Sequence, residues 1–100
     1  MKTKEEIEIE FSKAMTQAQD LEDVATAMLI LANDLNVKEM ARLEKSWKGN
    51  NGDALTMRWR KLIKDMMDTA QNIEQIAKSI RTTADLIYKA EKAAVMMAYY

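Results

Sequence analysis

Proline, cysteine and histidine are absent from the 100 residues, and glycine occurs only twice. Each absence excludes something. Without proline no helix is interrupted from within by a missing N–H, and with glycine confined to Gly49 and Gly52 the chain has one natural place to reverse. Without cysteine there is no disulfide, thiol nucleophile or zinc thiolate site. Without histidine the commonest general base and metal ligand is gone. Long apolar runs are missing too: the longest, Val24 to Ala32, is nine residues, against about 20 for a membrane-crossing helix. Stable membrane insertion is not expected. The opening Met1-Lys2-Thr3-Lys4-Glu5-Glu6 has no apolar segment behind its lysines, which argues against an ordinary cleaved signal peptide.

Fifteen basic residues face 16 acidic ones, so no basic stripe marks a nucleic-acid partner. The acidic cluster Glu5, Glu6, Glu8 and Glu10 lacks the Glu-x-x-His pairs of a di-metal bundle and reads as a solvated helix start that complements the helix dipole. No glycine-rich phosphate loop is present. No catalytic residue, cofactor or metal is expected, and the chain does not read as an enzyme.

What is there is helix-forming. Ala, Met, Leu, Ile, Glu and Lys dominate, the residues that lose least on entering a helix. The expected fold is all-α: an antiparallel helix-turn-helix hairpin in a single domain over residues 1–100, with helix 1 about 3–47, a turn about 48–53 and helix 2 about 54–97. Thr3 and Glu6 fit a capping box at the start of helix 1. From there Ile7, Phe11, Ala14, Ala18, Leu21, Ala25, Met28, Ala32 and Leu35 step by four and three, a heptad seam whose alanines let a facing helix approach closely.

Between Val24 and Ala32 apolar residues occupy all sides of the helix, and one partner helix covers only one side. Val24, Met28, Leu29, Ile30, Leu31 and Leu35 are therefore the candidate dimer or partner interface. Asn33-Asp34-Leu35-Asn36 then interrupts with poor helix formers, and the stripe resumes out of phase at Met40, Leu43 and Trp47. Either a kink near Asn36 or one continuous, gently bent helix fits this shift.

Trp47-Lys48-Gly49-Asn50-Asn51-Gly52-Asp53 holds both glycines. Gly49 is placed to end helix 1 in a left-handed conformation, Gly52 to take another, and Asp53 to cap helix 2. Helix 2 repeats the four-three stepping with Leu55, Trp59, Leu62, Met66, Thr69, Ile73, Ile76, Ile80, Thr83, Ile87, Ala90, Ala94 and Met97. A second line, Ile63, Ala70, Ala77 and Ala84, widens the stripe beyond a two-helix seam. Two such hairpins pairing would make a four-helix bundle dimer.

A chain of about 100 residues with two long helices, no signal peptide and a central Trp47-x-Gly49 resembles the WXG family, the early-secreted-antigen-like proteins of the type VII secretion system. The resemblance covers the whole chain. It implies a hairpin that pairs with itself, with a paralogous WXG protein or with the N-terminal helices of a larger toxin. It implies engagement of the secretion ATPase and export without a cleaved signal peptide after synthesis in the cytoplasm, mostly in Gram-positive bacteria. Family members carry a C-terminal export signal, Tyr-x-x-x-Asp/Glu, but here Lys92 stands four residues after Tyr88. The nearest substitute is a degenerate signal over Ile87, Tyr88, Glu91 and Ala94.

The expected function is thus a small non-catalytic type VII secretion substrate, a dimeric secreted effector or adaptor. The alternatives are a chaperone-like targeting partner of a larger type VII toxin and, in another class, a structural filament or coiled-coil assembly subunit, whose contacts would be open rather than closed.

Overall fold

The computed structural model describes residues 2–46 and 50–98, and all of its regular structure is helical. Helix α1 spans Lys4–Asp34, a π-helical segment follows at Leu35–Glu39, α2 spans Met40–Ser46 and α3 spans Asn50–Ala98. Thr3 caps α1 as its sequence suggests: its hydroxyl accepts from the Glu6 amide at 3.1 Å, satisfying one donor that a helix start leaves open.

The helices divide into two compact units. In the first, Met1–Glu22 with Glu74–Tyr100, α1 and α3 run antiparallel, since Glu22 meets Arg81 whereas Glu8 meets Tyr88. Ile7, Ala18 and Ala77 are buried, and the Phe11 and Tyr88 rings lie 4.3 Å apart between centroids. In the second unit, Asp23–Ile73, the chain folds back as a helical hairpin. Ala32, Met40 and Ile63 form its core, with Leu35, Trp59 and Met66 packed against them. Ala25 and Ala70 are also buried, and Arg60 bridges to Glu44 at 2.8 Å.

The phase shift near Asn36 has a specific cause. A strict heptad continuing from Ala32 and Leu35 would place its next members at 39 and 42, yet the apolar residues are Met40 and Leu43. One residue is in excess. The π-helix absorbs it: the Met40 amide donates to the Leu35 carbonyl, five residues back rather than four, so the extra residue is looped into the helix and Met40 is buried. The helix is continuous from Lys4 to Ser46, with a π-turn in place of a break.

Two expectations are corrected. Gly52 and Asp53, placed in the turn and at a cap, are helical and lie in the first turn of α3; Gly52 is buried. The apolar stripe of α3 is also centred differently. Ile63, Ala70 and Ala77, read as widening the stripe, are buried, while in the four-three line Leu55, Leu62, Thr69, Ile76, Thr83, Ala90 and Met97 are exposed and Trp59, Met66, Ile73 and Ile80 are half-buried. The reason is packing. Ala70 and Ala77 let the helix backbones approach closely, and Ile63 fills the space beside Ala32 and Met40.

Candidate interaction surface

On either flank of the alanine seam the side chains differ in kind. One flank is charged. In the first unit Arg81 bonds Glu22 twice, Nε to Oε1 at 2.6 Å and Nη2 to Oε2 at 3.0 Å, and donates to Gln19 at 3.1 Å. The guanidinium holds the Glu22 carboxyl below the usual range. Nearer the chain termini, Tyr88 donates to Glu8 at 2.7 Å, and Lys92 lies 3.1 Å from the Tyr88 oxygen and 3.2 Å from Glu8. These two donors, Tyr88 first, pull the Glu8 carboxyl down.

The other flank has an uncharged stretch, ending toward the chain termini at Glu10 and Glu91, which Lys2 bridges. In the first unit an open groove of about 470 Å³ is lined by Ala14, Gln75, Ile76, Ser79, Ile80, Thr83, Ala84 and Ile87. Ile76 and Ile87 are each more than half exposed. A soluble helix usually turns charged residues toward water, so an uncharged groove with protruding isoleucines is surface suited to a partner. In the second unit α3 exposes Leu55 and Leu62, and α1 exposes Val24 and Leu31.

The candidate interface residues of α1 separate under this geometry. Met28, Leu29 and Leu35 are half-buried, and Leu35 packs on the core of its own unit. Val24, Ile30 and Leu31 are exposed. At 100° per residue, Val24 and Leu31 stand about 100° from Ala25 and Ala32, their neighbours in the seam, while Ile30 points about 140° away from Ala25. Val24, Met28 and Leu31 thus share one stripe, and Ile30 stands apart from it.

The degenerate C-terminal signal is likewise split. Ile87 and Ala94 are exposed, whereas Tyr88 and Glu91 are half-buried. Glu91 is paired with Lys2 at 2.8 Å. Lys92, which stands where the resemblance calls for an acid, is turned toward Tyr88 and Glu8, so the carboxylate beside this tyrosine comes from α1. Trp47 and Gly49 lie outside the described residues. In sequence they fall between Ser46, the end of α2, and Asn50, the start of α3.

The cross-helix pairs were missed in reading the sequence, although a signal for them exists. Glu8, Met15 and Glu22 recur at sevens on α1 beside Ala18 and Ala25, and Glu74, Arg81 and Tyr88 recur at sevens on α3 beside Ala77. Such flanking positions carry ion pairs in coiled coils.

Among the described residues no group of His, Cys, Asp or Glu is arranged to hold a metal, and no helix is long and apolar enough to cross a membrane. The sequence matches no protein-family model, and neither a curated protein nor a solved structure is significantly similar to it.

Proposed function

We propose that this chain is a small, non-catalytic substrate of type VII secretion that works as a dimer of helical hairpins, a secreted effector or adaptor. The uncharged groove beside Ile76, Ile80 and Ile87 carries this reading. Of the eight buried apolar residues among those described, five are alanine, which bring little apolar area into the core. Covering a large aliphatic side chain is worth about 1.5 to 3 kcal/mol, so pairing along this groove supplies stabilisation that the alanine seam does not. A second copy fits because the groove has no charge to be matched or left unpaired on burial. The secretion assignment draws on Trp47-x-Gly49, which the chain places between α2 and α3.

The test combines mass in solution with export. Sedimentation of the purified chain should give a dimer at micromolar concentration, and Ile76→Lys should convert it to a helical monomer. A monomeric parent would instead favour an obligate partner, either a paralogous hairpin or the N-terminal helices of a larger toxin, and mass growing with concentration would favour a filament. Export from a host with an intact type VII locus, lost when its ATPase is deleted, tests the secretion assignment; export that survives the deletion would refute it.

A further inference from the structure

Where α1 begins and α3 ends, the polar groups of the C-terminal segment are already engaged by the chain's own N-terminal residues. Lys2 bridges to Glu91 at 2.8 Å and also reaches Glu10. The Tyr88 hydroxyl donates to Glu8 and accepts from Lys92, so it both gives and takes within the chain. The Tyr88 ring is covered by Phe11. Beside these contacts is a cleft of about 270 Å³, lined chiefly by Ile7, Phe11, Ala14, Ala84, Ile87 and Tyr88.

We infer that Lys2–Glu91 and Glu8–Tyr88–Lys92 form a clasp that closes the paired ends of α1 and α3 and withholds Tyr88 and Glu91 from a protein that reads this segment. The inference rests on the proposed secretion reading together with the degenerate export signal over Ile87, Tyr88, Glu91 and Ala94 that the resemblance implies. Two features make the clasp releasable. Its ion pairs are solvent-accessible and individually weak, and terminal helix segments open locally at low cost. Release would uncover the tyrosine and its acidic neighbour Glu91 beside the already exposed Ile87, because the same few contacts hold both.

Hydrogen exchange on the full-length chain reads the clasp directly. Glu8→Gln and Lys2→Ala should each accelerate exchange over residues 84–98 about three- to fivefold and leave residues 60–73 unchanged. Glu5→Gln, on the same turn of α1, should match the parent. Tyr88→Phe, which retains the ring on Phe11 and removes only the hydroxyl, should give a smaller acceleration over the same residues. Unchanged exchange at 84–98 in Glu8→Gln and Lys2→Ala overturns the clasp, as does acceleration spread evenly over the chain. Export distinguishes the two readings. If the parent is exported, Glu8→Gln should be exported severalfold faster; export at or below the parent level, with exchange accelerated, overturns the withholding role and leaves the secretion reading intact. A parent that is never exported, with exchange locally accelerated, refutes the secretion reading and supports the closure of the helix ends.

Discussion

The Arg81 guanidinium grips Glu22 through two hydrogen bonds, Nε to Oε1 at 2.6 Å and Nη2 to Oε2 at 3.0 Å, joining α1 to α3 across their seam. Lysine cannot reproduce that fork. Arg81→Lys should lower the melting temperature by a few degrees at low salt, since the pair is partly solvated. A double-mutant cycle with Glu22→Gln should show favourable coupling that shrinks in high salt. Coupling indistinguishable from zero at low salt would mean that the fork contributes no net stability.

Acid should act through the same flank. Glu8 is held below the usual carboxylate range by the Tyr88 hydroxyl and then Lys92, and Glu22 by Arg81. A carboxyl depressed in the folded state contributes stability that is complete above its ordinary value, about 4.3, and is lost as pH falls through the folded value. Thermal unfolding should be nearly independent of pH from neutrality down to about pH 5 and weaken below it. The double variant Glu8→Gln, Glu22→Gln should begin less stable at neutral pH and show a flatter acid limb. An equally steep limb in that variant would place the sensitivity in other carboxyls.

The alanine seam tolerates no growth. Ala25 is fully buried, and added methylenes at a close helix–helix approach force the backbones apart. Ala25→Leu should cost about 1 to 3 kcal/mol in urea unfolding, although leucine is a good helix former. Ile30→Ala, five residues further on and exposed, should change stability by no more than about 0.5 kcal/mol.

The π-turn makes one deletion permissible. Removing Asn36 should leave four steps between Leu35 and the present Met40, let the segment close as ordinary α-helix and preserve the melting temperature. Removing Thr26 instead should rotate everything beyond it by about 100° on α1, put the wrong residues in the seam and abolish cooperative unfolding. Circular dichroism on the two deletions decides the matter; equal damage from both would mean that the excess residue is not held at Leu35–Glu39.

Leu31 and Ile30 offer a matched pair. Both are exposed, but only Leu31 shares the stripe of Val24 and Met28. Leu31→Glu should weaken self-association by at least about tenfold, the loss expected when a charge enters an apolar contact, whereas Ile30→Glu should sediment as the parent does. The reverse result would move the interface to the opposite side of α1.

Much of this protein was determined by its residues alone. The absence of proline and the glycines' confinement to 49 and 52 made a two-helix chain the expected outcome, because nothing else in it can turn sharply. The Thr3 cap, the seam Ala18-Ala25-Ala32 and a disturbance near Asn36 are readable for the same reason: capping and heptad phase are local properties of a helix. Tertiary structure decided what periodicity cannot. On α3 the lines through Ile63 and through Leu62 are equally regular, and only the packing of α3 against the helices it faces puts Ile63, Ala70 and Ala77 inside and Leu62 and Ile76 outside. The excess residue of the heptad could have made a kink; the Met40-to-Leu35 hydrogen bond made it a π-turn. Glu8 and Tyr88 are eighty positions apart, and nothing in either helix by itself says that they meet. That pairing follows from the register in which α1 and α3 pack, which the close approach of the alanine seam sets.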